Sequence, residues 1–272
     1  MIQQLRELCT VVRRDVVRSI YLAQSGHPGS SLSTVEMLVT LYFGAIFRCF
    51  PDHPKDPGRD RFILSKGHAA PAYYSVLAHK GFFDVSLLDT LRKLGSPLQG
   101  HPNLAKLPCL DCAVGSLGQG LSIANGMAFA FKYRHESPRV YCLIGDGEQQ
   151  EGQIWEAAMF AAHHHLDNVC LLVDCNGMQL VDDIHGIKNI APLAPKWESF
   201  GWHVLTVDGH DVGALQEAYA AAAAYKSKPT VILAKTIKGK GVSYMENQAD
   251  WHGTAPDTAL YEQAMQELEV QP

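Results

Sequence analysis

No apolar run in the 272 residues approaches the ~20 needed to cross a bilayer. The amino terminus, MIQQLRELCTVVRRDVV, also lacks the continuous apolar core of a secretory signal; its alternation of charged and apolar residues reads as an amphipathic helix of the mature protein. There is no block of basic residues, and the formal net charge is −5, which argues against generic nucleic-acid binding. No internal repeat or low-complexity linker divides the chain. The seven cysteines are odd in number and have no framework spacing, as suits a reducing cytoplasm. Cys109 and Cys112 form a lone C-x-x-C without the second pair a zinc site requires and without a strand-to-helix redox context. They read as reduced cysteines near a loop.

What remains is an ordinary globular composition, 47% apolar and 19% charged, in a chain long enough for one large α/β domain over residues 1–272. Leu5, Leu8, Val12, Val16 and Ile20 fall on one face of a first helix that stops at Ser25-Gly26-His27-Pro28-Gly29. The spacing predicts a second helix from Ser33, with Glu36 completing a capping box, to about Phe50. A strand at Phe62–Leu64 leads into Ser65-Lys66-Gly67-His68 and a helix over Ala69–His79. Gly95–Gly120 is loop-rich, and Leu121–Tyr133 is helical. Strands at Trp202–Val207 and Thr230–Lys235 flank an alanine-rich helix, Val212–Lys226. An extended stretch, Ile237–Pro256, precedes a last helix around Asp257–Glu269. Alternating strands and helices predict a parallel sheet flanked by helices on both faces.

The most informative stretch is Gly145-Asp146-Gly147 with Asn176. It lies between apolar runs Val140–Ile144 and Val169–Val173, joined by a helical segment, Glu151–Leu166: a strand, turn, helix, strand unit. A sixteen-residue helix covers ~24 Å and a returning strand of six ~20 Å, so Asp146 and Asn176 fall at the carboxyl ends of two parallel strands, the edge where open α/β sheets bind ligands. A carboxylate and an amide oxygen beside flexible glycines suit Mg²⁺ carrying a diphosphate. Asp-Gly is also a common turn signal, so a plain strand-ending turn stands beside that reading. Loop histidines recur in Gly26-His27-Pro28-Gly29, Gly67-His68, Gly100-His101-Pro102 and Trp251-His252-Gly253. Singly, each is more often solvated or structural than catalytic. Together they offer donors and proton carriers near neutrality.

GDGEQQEG followed by VDCNGMQ resembles the thiamine-diphosphate motif of transketolases. SGHPGSSLS, LSKGHAAPAYYSVLA, GHP at 100–102, VGSLGQGLSIANGMA and DWHG are similar to successive segments of that family, in its order, over nearly the whole chain. Two departures stand out: Cys175 precedes a single Asn176 where many thiamine enzymes carry Asn-Asn, and Val114 stands where the family often has Thr.

The resemblance implies a thiamine-diphosphate-binding fold of the diphosphate-binding type. It also implies transfer of a two-carbon ketol unit from a ketose to an aldose phosphate. By motif, His27, His68, His101 and His252 face the reacting carbons, with His68 and His252 also near the diphosphate. Gly115, Leu117 and Gly118 match the loop that contacts the cofactor. Within the motif lie Gly145 and Gly147; Asp146, Asn176 and the carbonyl of Met178 hold Mg²⁺, for which Ca²⁺ or Mn²⁺ can substitute. Glu148 is assigned a structural or surface role. Glu151 matches an acidic residue that joins a network across the family's dimer interface, and a charge in the first turn of a helix is its plainer reading. His163-His164-His165, at a helix carboxyl end, is assigned no function.

Transketolase resembles this chain only in its amino-terminal domain; the pyrimidine-binding domain, with its activating glutamate, has no counterpart here. The expectation is therefore a split transketolase in which this chain is the amino-terminal subunit, a heterotetramer with a pyrimidine-domain subunit and a homodimer when alone. The α subunit of a thiamine-dependent 2-oxo acid dehydrogenase shares GDG…N but is disfavoured by SGHPG, SKGH and SLGQG together. A non-catalytic cofactor-binding module is disfavoured by the full set of histidines and metal ligands.

Overall fold

A computed structural model describes residues 1–180 and 182–269. The strands are β1 (Arg61–Leu64), β2 (Val140–Gly145), β3 (Val169–Cys175), the short pair β4 (Met178–Gln179) and β5 (Asp182–Asp183), β6 (His203–Asp208) and β7 (Thr230–Lys235). Five of them form one parallel sheet in the order β1-β2-β3-β7-β6, while β4 and β5 pair antiparallel beside it. The helices are α1 (Ile2–Ala23), α2 (Pro28–Leu32), α3 (Val35–Phe43), α4 (Ala70–His79), α5 (Gly120–Tyr133), α6 (Gly152–His163), α7 (Ile184–Lys188), α8 (Leu193–Ser199), α9 (Val212–Ala224) and α10 (Thr258–Glu267).

The apolar runs of the central strands look continuous because both sheet faces are covered, yet their side chains alternate strictly. Tyr141 and Leu143 of β2, Leu172 of β3 and Ile232 of β7 enter a core shared with α1, α3, α4 and α9. Their neighbours Cys142, Ile144, Val173 and Val231 enter a second core beneath α5, α6 and Trp197 of α8. The expected architecture, a parallel sheet with helices on both faces, is the one observed.

Three local expectations are corrected. The helix read from Ser33 to Phe50 begins at Val35 and ends at Phe43, because Gly44 closes it and Ala45 adopts φ 61°, in the left-handed region. Ser33 and Glu36 form no capping box: the Ser33 hydroxyl donates to Asp174 Oδ2 (2.7 Å) and Glu36 binds Arg13 and His210. The stretch Ile237–Pro256 is not simply extended but folds into tight turns, including a 3₁₀ turn at Ala249–His252.

The Glu36 contacts position the site from a distance. Its buried carboxylate on α3 pairs with Arg13 of α1, and His210 Nδ1 donates to it at 3.0 Å. Arg13 Nε donates to the Lys240 carbonyl (3.0 Å), and the Ile237 N–H donates to His210 Nε2 (2.8 Å). Burial works against the Glu36 charge, but Arg13 and then His210 outweigh it and hold its carboxyl below the usual range. One carboxylate thus ties two helices to the loop that follows β7. Removing one member of a buried ion pair leaves the others uncompensated. Glu36→Ala should cost about 3 kcal/mol or more in urea unfolding at pH 7; an unchanged midpoint would show that the pair is incidental.

Candidate active site

The ends of β1, β2, β3 and β7 lie on one edge of the sheet, and the loops leaving that edge carry the motifs. Ser65–His68 follows β1, Asp146–Gly147 closes β2, Asn176–Gly177 follows β3, and Thr236–Lys240 follows β7. They surround a cavity of about 300 Å³. It is lined by His27, His68, His101 and His252, by Gly115 and Leu117, by Gly145, Asp146 and Gly147, and by Glu151, Asn176 and Met178. Of the residues expected at the site, only Gly118 does not line the cavity. Its N–H is taken by Glu148 Oε1 at 2.9 Å, which places it in the wall behind.

Glu148 is not at the surface. It is buried, accepts the N–H groups of Gly118 and Gly145 (2.9 and 3.1 Å) and the hydroxyl of Ser65, and so joins three motif loops at one carboxylate. Ser65 Oγ also accepts the Gly120 N–H at 3.0 Å. A Cβ on Gly120 would stand 2.4 Å from the Ser65 side chain, so only glycine admits this approach. Glu151 caps the start of α6 with its backbone, its exposed side chain makes no capping bond, and its stem packs against Gly118. Val114 is buried in the core rather than offering a polar contact.

Asp146 is held by backbone donors on both oxygens, Gly147 N to Oδ1 (2.8 Å) and Gly177 N to Oδ2 (2.7 Å). The second bond requires the chain to double back after Asn176, which Gly177 allows with φ +73°. Burial and then the neighbouring Asp174 raise the Asp146 pKa to about 6. Asn176 is buried; its amide donates to Asp174 Oδ2 (2.8 Å) and its Oδ1 accepts the Met178 N–H (3.1 Å). Gln150 and Gln179 exchange amide hydrogen bonds of 2.9 and 3.1 Å that pin β4 to the loop after β2. Among the described residues no group of three or more His, Cys, Asp or Glu could hold a metal. A site built from one carboxylate, one amide oxygen and a carbonyl falls outside that pattern, and its donors are the hard oxygens that divalent Mg²⁺ or Ca²⁺ takes.

The four histidines, far apart in sequence, converge. Ring centroids of His27 lie 5.3 Å from His68, 6.4 Å from His101 and 5.4 Å from His252, and His68 is 5.3 Å from His252. All four are kept neutral. Burial, then Arg92, lowers His27 to about 4; burial, then Lys238, lowers His252 to about 4. Burial followed by Lys66 depresses His68, and burial followed by Arg92 depresses His101.

Sequence reading missed the residues behind this order. Lys66 lines the cavity and forms a buried ion pair with Asp174. Lys238 is buried beside His252, and burial and then Lys66 lower its pKa to about 8. Arg92 reaches both Ser25 (2.9 Å) and His27 (3.3 Å). Lys66 stands inside the SKGH motif and was the legible one; nothing local marks the others.

Comparison with known proteins decides the family. Residues 4–272 match the family described as transketolase, thiamine diphosphate binding domain. The chain belongs to the transketolase family. It is 42% identical over 265 residues to the 6-deoxy-6-sulfo-D-fructose transketolase subunit of a Clostridium species, covering 97% of this chain and 96% of that protein. To an apulose-4-phosphate transketolase subunit from Phocaeicola vulgatus it is 40% identical, covering 94% and 90% respectively. The crystal structure of Campylobacter jejuni transketolase superimposes with a TM-score of 0.93 at 33% identity, over 99% of this chain but 43% of that one. This transketolase domain thus spans less than half of a full-length relative and nearly the whole of the two subunits.

The depressed histidines give a pH signature. In the unfolded chain they accept protons from about pH 6.5 downward; in the fold His27 and His252 resist until about 4. Their contribution to stability is therefore present above pH 6.5 and lost as the pH falls toward 4. Wild-type melting temperature should drop more steeply across that window than that of the His27→Asn, His252→Asn double variant. Parallel curves would mean that both imidazoles titrate normally.

Proposed function

We propose that this chain, a single diphosphate-binding domain, is the amino-terminal subunit of a split transketolase. With a separate pyrimidine-domain subunit it moves a two-carbon ketol unit from a ketose phosphate to an aldose phosphate. The observation that carries the reading is the convergence of four neutral histidines and the Asp146–Asn176 pair on one cavity at the carboxyl edge of the sheet. The division into subunits is supported by the two relatives named as transketolase subunits, which match this chain over almost their full length. A cytoplasmic location accords with the seven free cysteines, and no helix among the described residues is long and apolar enough to cross a membrane.

In this reading Asp146, Asn176 and the Met178 carbonyl hold Mg²⁺, or Ca²⁺ or Mn²⁺ in its place. The glycines at 115, 145 and 147, with Leu117, His68 and His252, face the cofactor, Gly118 supports them from the wall behind, and Glu151 belongs to an acidic network reaching the partner. Thiamine diphosphate supplies the electron sink that lets a carbon–carbon bond break. The chain's own contribution is to fix the diphosphate end, exclude water, and set neutral imidazoles around sugar oxygens, where they donate hydrogen bonds or move protons. Apolar side chains left exposed accord with association: Leu117 at 40% and Leu180 at 59% exposure on the cavity rim, and Met159 at 55% with Phe129 and Phe160 at 40–41% on the outer faces of α5 and α6. The assembly is a heterotetramer with cofactors at shared interfaces, and a homodimer when the partner is missing.

Calorimetry tests the cation site. Thiamine diphosphate should bind the chain weakly and only with Mg²⁺ or Ca²⁺, and Asp146→Ala should abolish the metal-dependent part. Because Asp146 must ionise to take the cation, and its pKa is about 6, affinity should fall roughly tenfold per pH unit well below 6, beyond the cofactor's own titration. Undiminished binding by Asp146→Ala would defeat the assignment.

Reconstitution tests the rest. The purified chain alone should transfer no ketol group, and addition of a pyrimidine-domain subunit should restore transfer. In that assembly each of His27→Ala, His68→Ala, His101→Ala and His252→Ala should lose on the order of 10²-fold in turnover without unfolding. Robust turnover by the chain alone would overturn the split-enzyme reading.

A further inference from the structure

Two cations inside the wall of the cavity do something that neither the motifs nor the family assignment specifies. Arg92 Nη2 lies 3.3 Å from Nδ1 of His27, and Lys238 Nζ lies 3.2 Å from Nδ1 of His252. A guanidinium and an ammonium can only donate. In both contacts, therefore, Nδ1 must accept, and a neutral ring must carry its proton on Nε2. We propose that Arg92 and Lys238 are positioning residues that lock His27 and His252 as Nε2–H tautomers, making both histidines hydrogen-bond donors to substrate oxygen rather than proton acceptors.

The contacts are built rather than incidental. Arg92 is held by its Nη1 bond to Ser25 Oγ (2.9 Å) and by its backbone N–H to the Leu98 carbonyl (2.8 Å), in a left-handed conformation with φ 58°. Its guanidinium lies so close over Gly100 that a Cβ there would stand 2.8 Å from Cζ. The glycine of Gly100-His101-Pro102 is thereby explained as the space that admits Arg92. Lys238 is fully buried, with Cγ 3.0 Å from the position a Cβ would take on Gly29. The glycine of His27-Pro28-Gly29 makes room for the second cation and for the Trp251 carbonyl, which a Cβ would meet at 2.9 Å.

The chemical consequence is a division of labour. A ring whose Nδ1 lone pair faces a cation has no base left to offer, since Nε2 already bears a proton. Adding a second proton would place an imidazolium against a guanidinium or ammonium, which agrees with the low pKa values of both rings. His27 and His252 can still donate to a carbonyl or developing alkoxide, the kind of fixed donor that stabilises an oxyanion. Proton acceptance falls to the other two cavity imidazoles, His68 and His101. What the donors meet rests on the transketolase reading; the tautomers do not.

The test reads the rings directly. The full chain, labelled with ¹⁵N-histidine and without cofactor or partner, is examined at pH 7 by long-range ¹H–¹⁵N correlation, with signals assigned through His27→Gln and His252→Gln. Both rings should show a bare Nδ1 and a protonated Nε2. In Arg92→Met the His27 ring should become a tautomer mixture while His252 keeps its tautomer, and the His27 titration midpoint should rise from about 4 toward 6.5. In Lys238→Met the His252 ring should become the mixture while His27 keeps its tautomer, with the His252 midpoint rising from about 4. Arg92→Lys, which keeps a donor, should retain the wild-type pattern. A proton on Nδ1 of either wild-type ring overturns the proposal, as do tautomers and midpoints unmoved by the methionine variants. Should Arg92→Met not fold, the Lys238–His252 pair decides by the same measurement. Because no turnover is read, a failed reconstitution with a partner would leave this result standing, and a failed lock would leave the transketolase reading intact.

Discussion

Four segments around the site hang on one buried carboxylate. Asp174, on the central strand β3, has no exposed surface, and it collects the Lys66 ammonium, the hydroxyls of Ser33 and Thr236, and the amide of Asn176. These partners come from the loop after β1, the turn between α2 and α3, the loop after β7 and the loop after β3. Burial disfavours the Asp174 charge, yet Lys66 and the hydroxyls of Thr236 and Ser33 hold its pKa below the usual value. A buried ion pair of this kind is weak evidence of net stability, because desolvation offsets much of the attraction. Its value here is geometric: with Asn176 Nδ2 fixed on Asp174, Asn176 Oδ1 can face only one way. Glu148 performs the parallel task for the loops carrying Gly118, Ser65 and Gly145.

The cavity and its wall hold groups pushed away from their charged forms in both directions. Asp146 is raised to about 6, chiefly by burial and then by Asp174, while Lys238 is lowered to about 8, chiefly by burial and then by Lys66. A ligand that brings a divalent cation to Asp146 and anionic oxygens to the lysines reverses both shifts at once. Ligand and site then stabilise each other's charges, which is the electrostatic sense in which a metal diphosphate suits this pocket. His27 and His252 differ, because Arg92 and Lys238 act on their rings through direct contact as well as burial.

The parallel sheet, its five strands and most helix positions were legible in the sequence because burial on both faces writes itself as apolar runs of strand length. The site's backbone was legible as well, since Gly145–Gly147, Asn176 and the Gly-His pairs are local signals at strand ends. What could not be read were the long-range partners. Asp174 sits 108 positions from Lys66, and Arg92 sits 65 from His27, with no local pattern to announce either. Ser33 and Glu36 misled for the same reason: a spacing suited to a capping box was serving three tertiary contacts instead. Of the structural and surface roles open to Glu148 the structural one holds, because three donors make its burial tolerable.

That pattern of contacts gives a physical reason why such a site can be divided between two polypeptides. Asp174, Glu148 and Glu36 anchor the deep side of the cavity to strands and helices of this chain. The rim is different: Leu117 and Leu180 stand well exposed, and the Glu151 side chain turns outward without a capping bond. Rigid groups therefore lie deep and uncommitted groups lie at the mouth. Binding energy is least eroded when the deep half is preorganised and only the rim must be desolvated on assembly. A cofactor bound at its diphosphate by one chain can then present its other end to a second without either chain refolding around it.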